Sequence, residues 1–374
     1  MKIDMPNPGL YIHVPFCRSK CYYCDFYSIA STSLISRYLE ALKKEVVLYQ
    51  GRFEPFDSLY LGGGTPTLLD LREIEEILNC LYEHLGFSED TEKTIEANPC
   101  DMTGEKIAGL RAIGFNRINL GVQSFDDRDL LFLGRRHRVK DAEKALTGLR
   151  SAGFDNIGMD LIYGLRDQSI RGWMETLRKA VAYKPEHLSC YQLSIEKGTV
   201  FWRMREKGLI KPSDEEEERS FFIATSEFLE DKGYIHYEIS NFARESAYYS
   251  RHNCKYWQHV PYLGLGPSAH SFNGPMRWWN YRSIRRYCET LEQGKIPVEG
   301  QEDLTDEQRT IEAVFLGLRT LQGIDLSELG YDPELGEKIS MLMNSGHIRV
   351  DNNRVMPTRE GFLVADRLPL CFLR

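Results

Sequence analysis

The sequence lacks the features of a membrane-spanning, secreted or nucleic-acid-binding protein. No apolar run approaches the roughly 18 residues that a membrane-spanning helix needs. The first eight residues contain no apolar core of the kind found in a signal peptide. The 47 basic residues are outnumbered by 55 acidic ones, for a net charge of −8, whereas a nucleic-acid binder is expected to show a basic face. We therefore expect a cytoplasmic protein without a nucleic-acid partner, and peripheral contact with a membrane stays open.

A framework of paired cysteines is also missing. The chain has nine cysteines, an odd number. Disulfide frameworks are typical of short secreted chains, and a structural zinc site needs a second pair of ligands at Cys-x2-4-Cys spacing, which does not follow here. We expect reduced, partly buried thiols at the six cysteines that stand singly. These are Cys80, Cys100, Cys190, Cys254, Cys288 and Cys371.

The other three cysteines, Cys17, Cys21 and Cys24, lie within eight residues and directly follow the apolar run 10–14. Thiolates are the ligands that iron–sulfur clusters select, and a 4Fe–4S cluster has four irons to ligate. Three thiolates leave the fourth iron open, and the amino and carboxylate groups of S-adenosylmethionine are suited to chelate it. With the aromatic Tyr23 before the last cysteine, the spacing resembles the signature of radical S-adenosylmethionine enzymes. We therefore favour a 4Fe–4S cluster over zinc or a disulfide.

Strand-like and helix-like patterns alternate six times between residues 10 and 194. Such alternation implies parallel strands covered by helices, so the sequence predicts an α/β fold with an open six-stranded barrel. A chain of 374 residues has room for this barrel and a smaller appended domain. We predict a barrel over 1–240, with a helix capped by Ser213, and an aromatic-rich, irregular region with a connecting helix over 241–300. The predicted C-terminal domain, 301–374, has helices followed by a hairpin turning at Asp351–Asn353, an order that resembles a winged helix.

Polar residues follow the predicted strands at the ends where a parallel barrel places its active site. Glycines permit close backbone approach, so the turn 63–65 could hydrogen-bond the amino-acid end of S-adenosylmethionine. The carboxylates of Glu96 or Asp160 could hold its ribose hydroxyls or its sulfonium side. Arg135 could pair with a carboxylate of the ligand. The candidates at strand ends are Gly63, Gly64, Thr65, Glu96, Gln123, Asp160 and Ser194.

The whole chain resembles the HemN/HemW branch of the radical S-adenosylmethionine superfamily. The matching blocks are 11–17, 62–67, 95–99, 120–125 and 160–165. The resemblance implies a set of residues that contact S-adenosylmethionine: Tyr11, Tyr23, Gly63, Gly64, Thr65, Glu96, Gln123, Arg135, Asp160 and Ser194.

Three features separate the two sides of this branch. The oxygen-independent coproporphyrinogen III oxidases carry a further cysteine two residues after the third cluster cysteine, and Phe26 stands there in this chain. Those enzymes also have a longer N-terminal arm, whereas ten residues precede Tyr11 here. The block 252–257 fits the His-Asn-x-x-Tyr-Trp pattern of the heme chaperone side. The resemblance implies a chaperone that binds heme and passes it to recipient hemoproteins. Decarboxylation of coproporphyrinogen III is the alternative, and radical chemistry on another substrate is a third.

Block 252–257 is also the predicted heme site. Imidazole is a standard axial ligand of heme iron, and Tyr and Trp offer flat faces to a macrocycle. The prediction assigns His252 as axial ligand, with Asn253, Tyr256 and Trp257 in the same site. A hydrogen-bonded structural role for His252, with Tyr256 and Trp257 in the core, stays open. The other candidate ligands are His13, His259 and His270, of which His270 could instead face the S-adenosylmethionine pocket.

Overall fold

The computed structural model describes residues 6–53, 55–211, 213–329 and 333–372. The predicted outer boundaries at residues 1 and 374 lie outside these ranges. Within these ranges, no helix is both long enough and apolar enough to cross a membrane.

Six parallel strands lie side by side in chain order within a twelve-stranded sheet. They are β1 (Gly9–Val14), β2 (Phe56–Gly63), β3 (Phe87–Ala97), β4 (Arg117–Gln123), β5 (Ile157–Tyr163) and β6 (His187–Gln192). Six helices lie in the connections between them: α1 (Ile35–Leu48), α2 (Leu71–His84), α3 (Gly104–Ala112), α4 (Asp127–Phe132), α5 (Val139–Ser151) and α6 (Ile170–Ala182). The predicted α/β alternation is therefore confirmed.

Because side chains alternate along these strands, one face of the sheet is apolar and the other is polar. Leu10 and Ile12 in β1, and Leu59 and Leu61 in β2, are fully buried in one core with apolar residues of the covering helices. The residues between them point to the opposite face, because side chains alternate along a strand. Parallel sheets are usually apolar on both faces, so a polar face indicates a cavity, which we call the lumen. Its wall includes Tyr11, His13, Tyr60, Glu96, Asn119, Asp160 and Ser189.

Capping side chains fix several helix starts. Thr103 accepts a hydrogen bond of 3.2 Å from the amide of Lys106 at the start of α3, where the sequence predicts a helix opening. Two helices follow β6, namely α7 (Val200–Glu206) and α8 (Glu215–Asp231). The predicted cap of α8, Ser213, is wrong by one residue: Asp214 accepts a hydrogen bond of 2.9 Å from the amide of Glu217. A carboxylate beside the helix N-terminus also complements its positive dipole end.

The stretch after α8 consists of regular elements, so the prediction that 241–300 is irregular is wrong. It forms short strands that extend the sheet on both sides, and two helices. The strands are β7 (Ile235–Glu238), β8 (Asn241–Ala243), β9 (Tyr262–Leu265), β10 (His270–Phe272), β11 (Met276–Asn280) and β12 (Val298–Asp303), and the helices are α9 (Arg251–Trp257) and α10 (Ile284–Glu292). Strand β9 pairs in parallel with β1, and β10 to β12 continue outward in antiparallel pairs. We call these four strands the flank.

Helix α9 lies at the N-terminal ends of the parallel strands. The ammonium of Lys255 donates to Oδ2 of Asp57, near the start of β2, at 2.8 Å. The amide of Arg251 donates to Oε1 of Glu92 on β3 at 3.0 Å. The active site of a parallel barrel lies at the opposite, C-terminal ends. Helix α9 therefore forms the floor of the lumen.

The last part of the chain has its own small core, around Val314, Leu318, Ile324, Leu342 and Val355. It is built from α11 (Asp306–Gly317), β13 (Ile324–Asp325), α12 (Leu335–Asn344), β14 (Ile348–Asp351), β15 (Arg354–Pro357) and α13 (Arg359–Leu363). The predicted hairpin is confirmed: β14 and β15 are antiparallel, and Asn352 and Asn353 have φ of +46° and +63°, as a two-residue hairpin turn requires. The domain boundaries near residues 240 and 300 stay predictions.

Candidate cluster and cofactor site

The three clustered cysteines lie on the loop that leaves the C-terminal end of β1. All three are free thiols and are partly exposed. The amide of Cys17 donates to the carbonyl of Ile29 at 3.0 Å, which closes the loop at its base. The sulfur of Cys17 lies 3.4 Å from the hydroxyl of Thr65, just beyond β2. The cysteines thus stand at the end of the strands where the sequence analysis expects the site.

This arrangement does not offer a preformed site for one metal ion. Within the described ranges, no three His, Cys, Asp or Glu side chains come close enough together to hold a single ion. A zinc site draws its ligands onto one ion, whereas a 4Fe–4S cluster takes each thiolate on a different iron.

The surroundings of the thiols are partly apolar. Burial, with smaller contributions from the nearby Cys21 and Cys17, raises the pKa of Cys24 to about 11. Because metal ligands must be thiolates, loading of this loop releases protons. Arg135 lies beside the loop, with Nη1 3.6 Å from the sulfur of Cys21. This cation stabilises a thiolate.

The turn after β2 uses its amides within the protein. The amide of Gly63 donates to Oε2 of Glu96 at 3.1 Å, while those of Gly64 and Thr65 donate to the carbonyls of Val14 and Phe16. These amides are therefore not free donors for a ligand, and only the carbonyl oxygens of the turn could accept from its amino group. The glycines are needed for space: a Cβ on Gly63, where φ is +104°, would lie 2.5 Å from the His13 ring.

Two carboxyl groups face the lumen above the floor. Oε1 of Glu96 accepts a hydrogen bond of 2.9 Å from the hydroxyl of Tyr60, and Oδ2 of Asp160 accepts one of 2.7 Å from Asn119. Burial, followed by the charge of Asp160, raises the pKa of Glu96 to about 7. Burial raises the pKa of Asp160 to about 6. A cationic ligand would relieve this repulsion and stabilise both groups in the ionised form.

The buried polar atoms that have no hydrogen-bond partner among the described residues include Oδ1 of Asp160 and Nε of Arg135. Buried polar groups are usually paired, so such atoms need an explanation such as a missing ligand. One atom accepts and the other donates. S-adenosylmethionine carries a positive charge that suits the acceptor and a carboxylate that suits the donor.

The remaining predicted contacts do not all lie at the strand ends where they were predicted. Gln123 ends β4 with φ of +69°. Asp160 lies in the middle of β5 instead of near its end, and Ser194 lies two residues beyond β6. Tyr23 lies beside Arg135, and its pKa is raised chiefly by burial. Tyr11 faces the lumen, with its hydroxyl 3.1 Å from Nδ1 of His13.

Sequence analysis missed the polar residues of the lumen that precede the strand ends. Tyr60 and Asn119 hold the two carboxylates, and Ser189 stands opposite Asp160 in the strand register. Their signal was the polar alternation within otherwise apolar strands. The strand-end rule alone did not select them.

The geometry does not fit His252 as a heme ligand. The ring is 1% exposed. Its Nδ1 lies 3.1 Å from the hydroxyl oxygen of Ser58, and its Nε2 lies 2.9 Å from that of Tyr256. Burial lowers the pKa of His252 to about 3. Both nitrogens are therefore used inside the protein, and iron could reach neither without movement of α9.

The rest of the block lies on the same helix and not on a loop. Asn253 is partly buried, and its amide donates to the capping hydroxyl of Ser250. Trp257 makes an edge contact with Tyr237, with 5.8 Å between ring centroids. This packing supports the alternative to heme ligation, which is a structural role for the block at the floor of the lumen.

Comparisons with known proteins agree with this architecture. Residues 11–180 match the family model described as the radical SAM superfamily, and residues 304–364 match that of the HemN C-terminal domain. The chain is 36% identical to a heme chaperone HemW of Synechocystis, covering 87% of this chain and 81% of that protein. It is 32% identical to a heme chaperone HemW of Bacillus subtilis, over 97% of this chain and 98% of the relative.

A solved structure is similar over almost the whole fold. The coproporphyrinogen III oxidase HemN of Escherichia coli, described as a radical SAM enzyme, superposes with a TM-score of 0.83 at 26% identity. The match covers 98% of this chain and 90% of that structure.

Proposed function

Because the chain belongs to the HemW family of the radical S-adenosylmethionine superfamily, we propose that it is a heme chaperone, which binds heme and hands it to recipient hemoproteins. The observation that carries the proposal is the full-length similarity to proteins named heme chaperone HemW. The alternative, decarboxylation of coproporphyrinogen III, draws on the HemN structure. It is the weaker reading, because Phe26 occupies the position of that branch's additional cysteine.

Cys17, Cys21 and Cys24 would hold a 4Fe–4S cluster, and the lumen would hold S-adenosylmethionine. A reduced cluster of this kind supplies the electron that S-adenosylmethionine chemistry requires. Glu96 and Asp160 would bind the positively charged part of the ligand, since each is partly buried and each is destabilised as an anion. Arg135 would stabilise the thiolate of Cys21 and offer Nε to a carboxylate.

Exposed apolar side chains lie at or just beyond the C-terminal ends of the parallel strands, where the lumen opens. Phe26 on the cluster loop is 67% exposed, and Leu131 in α4, beyond the end of β4, is 65% exposed. Tyr22 and Tyr191 at the same end are 41% and 40% exposed. Exposed apolar groups gathered at one place are typical of a binding surface. A planar, mostly apolar cargo such as heme suits this rim, which lies beside the cluster.

We assign the chain to the cytoplasm, where thiols stay reduced. We also propose the division into a barrel, a region over 241–300 and a C-terminal domain from 301. The recipient hemoprotein would dock where it can take heme from the mouth. These assignments rest on family membership and on the chemistry of a thiolate-held cluster.

A hemin titration followed in the Soret region tests the proposal. The anaerobically reconstituted protein should bind hemin with a saturable Soret change. Phe26→Ser should weaken binding about fivefold, since removing roughly 1 kcal/mol of apolar contact has that effect. Met341→Ser is the matched control, because Met341 is 59% exposed but lies on α12, in the C-terminal core region. No hemin binding by the wild-type protein would contradict the proposal.

A further inference from the structure

One histidine differs from all the others in its surroundings. All nine histidines lie in the described ranges, and His270 is the exposed one. Within those ranges, its ring nitrogens make no hydrogen bond, whereas His259 contacts Glu312 at 3.1 Å and His347 contacts Ser345 at 2.8 Å. Five histidines are buried: His13, His137, His187, His236 and His252. His84, at the end of α2, is half-buried, with its Nε2 3.9 Å from the carboxylate of Glu83. An axial ligand needs a reachable, unprotonated nitrogen, and His270 offers one.

His270 stands on an aromatic platform. It pairs with Trp279 of β11 in the strand register, and the two rings stack with 5.9 Å between centroids and 27° between planes. Gly300 makes room for this indole on β12, since a Cβ there would lie 2.5 Å from it. An imidazole binds iron through a lone pair in the plane of its ring, so a macrocycle bound to His270 would stand across the two stacked rings. The indole supports the imidazole in that orientation.

The platform lies on the same side of the sheet as the lumen. Strand β10 packs beside Gly264 of β9, and Gly264 is the register partner of Tyr11. Side chains opposite each other in adjacent strands share a face, so His270 and Tyr11 point the same way. Farther along the flank, Arg277 and Glu312 of α11 cover this face. The part with His270 is left open to solvent.

The platform is also close to the cluster loop. Arg282 follows Trp279 by three residues, and its Nη2 donates a hydrogen bond of 3.0 Å to the carbonyl of Asp25. Asp25 is the residue after Cys24 and before the exposed Phe26. A macrocycle bound to His270 would therefore lie beside the apolar rim already described.

A buried network holds the turn that precedes His270. Oε2 of Glu45, a fully buried carboxyl, accepts a hydrogen bond of 2.8 Å from the amide of Gly266. Asn280 donates to Oε1 of Glu45 at 2.6 Å and to the carbonyl of Gly266 at 3.0 Å. Ser268 has φ of +68°, which is strained for a residue with a side chain. Such support behind an exposed side chain is the pattern of a pre-organised binding residue.

We propose that His270 is the axial ligand of the heme iron and that Trp279, stacked on the imidazole, holds the plane of that ring, an inference that rests on the proposed heme-chaperone function. Neighbouring protein atoms shield one side of the exposed imidazole from water, and this partial desolvation, with the charge of Arg277, lowers the pKa of His270. The imidazole is therefore neutral at physiological pH, as iron ligation requires. Helix α9 with His252 then remains the floor of the lumen.

The test compares histidine variants of the reconstituted protein in hemin titrations. His270→Ala should change the Soret band and raise the Kd for hemin about tenfold or more, which corresponds to roughly 1.4 kcal/mol. Free imidazole should restore the wild-type band, because it can fill the vacated position. His270→Gln keeps most of the side-chain volume and should lose the band in the same way. It replaces the alanine variant in the test if that variant fails to fold. His347→Ala is the matched control and should bind like wild type.

The outcomes separate this inference from the proposed function. If wild type binds hemin and both His270 variants keep its spectrum, the assignment of His270 is wrong while the chaperone proposal stands. Loss of the band in His252→Ala, with His270→Ala unchanged, would overturn the assignment in favour of His252. If wild type binds no hemin, the proposed function itself fails.

Discussion

The imidazole of His252 stacks on the ring of Tyr60, with 5.3 Å between centroids and 28° between planes. The hydroxyl of the same tyrosine donates to Glu96 at 2.9 Å. One aromatic side chain therefore connects the floor of the lumen to a carboxylate of the candidate cofactor site. Changes in the floor should reach the cofactor through Tyr60.

The first prediction concerns that floor. His252→Ala should lower the free energy of unfolding by about 2–4 kcal/mol, because it opens a cavity and leaves the hydroxyls of Ser58 and Tyr256 without their partner. Denaturant unfolding measures this loss. The variant should also bind S-adenosylmethionine more weakly, as read from the electron paramagnetic resonance signal of the reconstituted cluster. Normal stability together with a lost Soret band would show that the histidine serves heme and not the fold.

The second prediction concerns the charge of Glu96. Its pKa of about 7 means that the carboxyl gains charge as the pH rises through neutrality. Affinity for the cationic S-adenosylmethionine should therefore increase between about pH 6 and 8, by up to about tenfold per unit for one group. Glu96→Gln should weaken binding at pH 8 and flatten this dependence, while iron content stays constant. An equally steep pH profile in the variant would rule out this carboxyl as the titrating group.

The same raised pKa has a consequence for stability. Between the ordinary value of 4.5 and about 7, the folded protein holds a proton on Glu96 that the unfolded chain releases. The unfolding free energy of the ligand-free protein should therefore fall as the pH rises through this window. Unfolding of wild type and Glu96→Gln at several pH values measures the difference, which should be largest above pH 7.

The third prediction concerns the cluster. Replacing Cys17, Cys21 or Cys24 with alanine should abolish the broad visible absorbance of the reconstituted protein and most of its bound iron, since each thiolate is expected to hold a separate iron. Cys80→Ala is the control, because Cys80 lies on α2, away from the loop. A triple variant that still binds four irons per chain would place the cluster elsewhere.

The fourth prediction concerns the turn before His270. Glu45→Ala removes the acceptor of three donors, from Gly266, Asn280 and Tyr287. We expect a loss of about 2–4 kcal/mol in unfolding free energy and weaker hemin binding. Glu40→Ala on the same helix is a suitable control, because Glu40 is exposed. Unchanged hemin affinity in a destabilised Glu45→Ala protein would show that the network serves only the fold.

Local sequence patterns were sufficient for the parallel core of the fold. The alternation of apolar segments predicted six strand–helix units, and cues such as Thr103 located helix starts. The flank and β8 could not be found in this way. Strands β8 and β10 have only three residues each, and they are stabilised by pairing with distant strands. The three clustered cysteines could be recognised from the sequence, because all of them lie within one loop.

The burial of His252 shows the same limit at a single residue. The spacing of His252 and Tyr256 places both on one face of a helix, and this spacing can be read from the sequence. Its other partner, Ser58, lies 194 positions earlier in the chain. No local pattern reports such a contact. The motif therefore suggested a surface ligand, whereas the fold encloses it beneath the lumen.

The central claim, heme transfer as opposed to porphyrinogen decarboxylation, is tested most directly by one anaerobic comparison. The reconstituted protein, with S-adenosylmethionine and a reductant, is given either hemin followed by an apo-hemoprotein such as apomyoglobin, or coproporphyrinogen III. We predict that heme moves to the acceptor, seen as the acceptor's Soret band, and that coproporphyrinogen III is unchanged. Conversion to protoporphyrinogen IX without heme transfer would contradict the account.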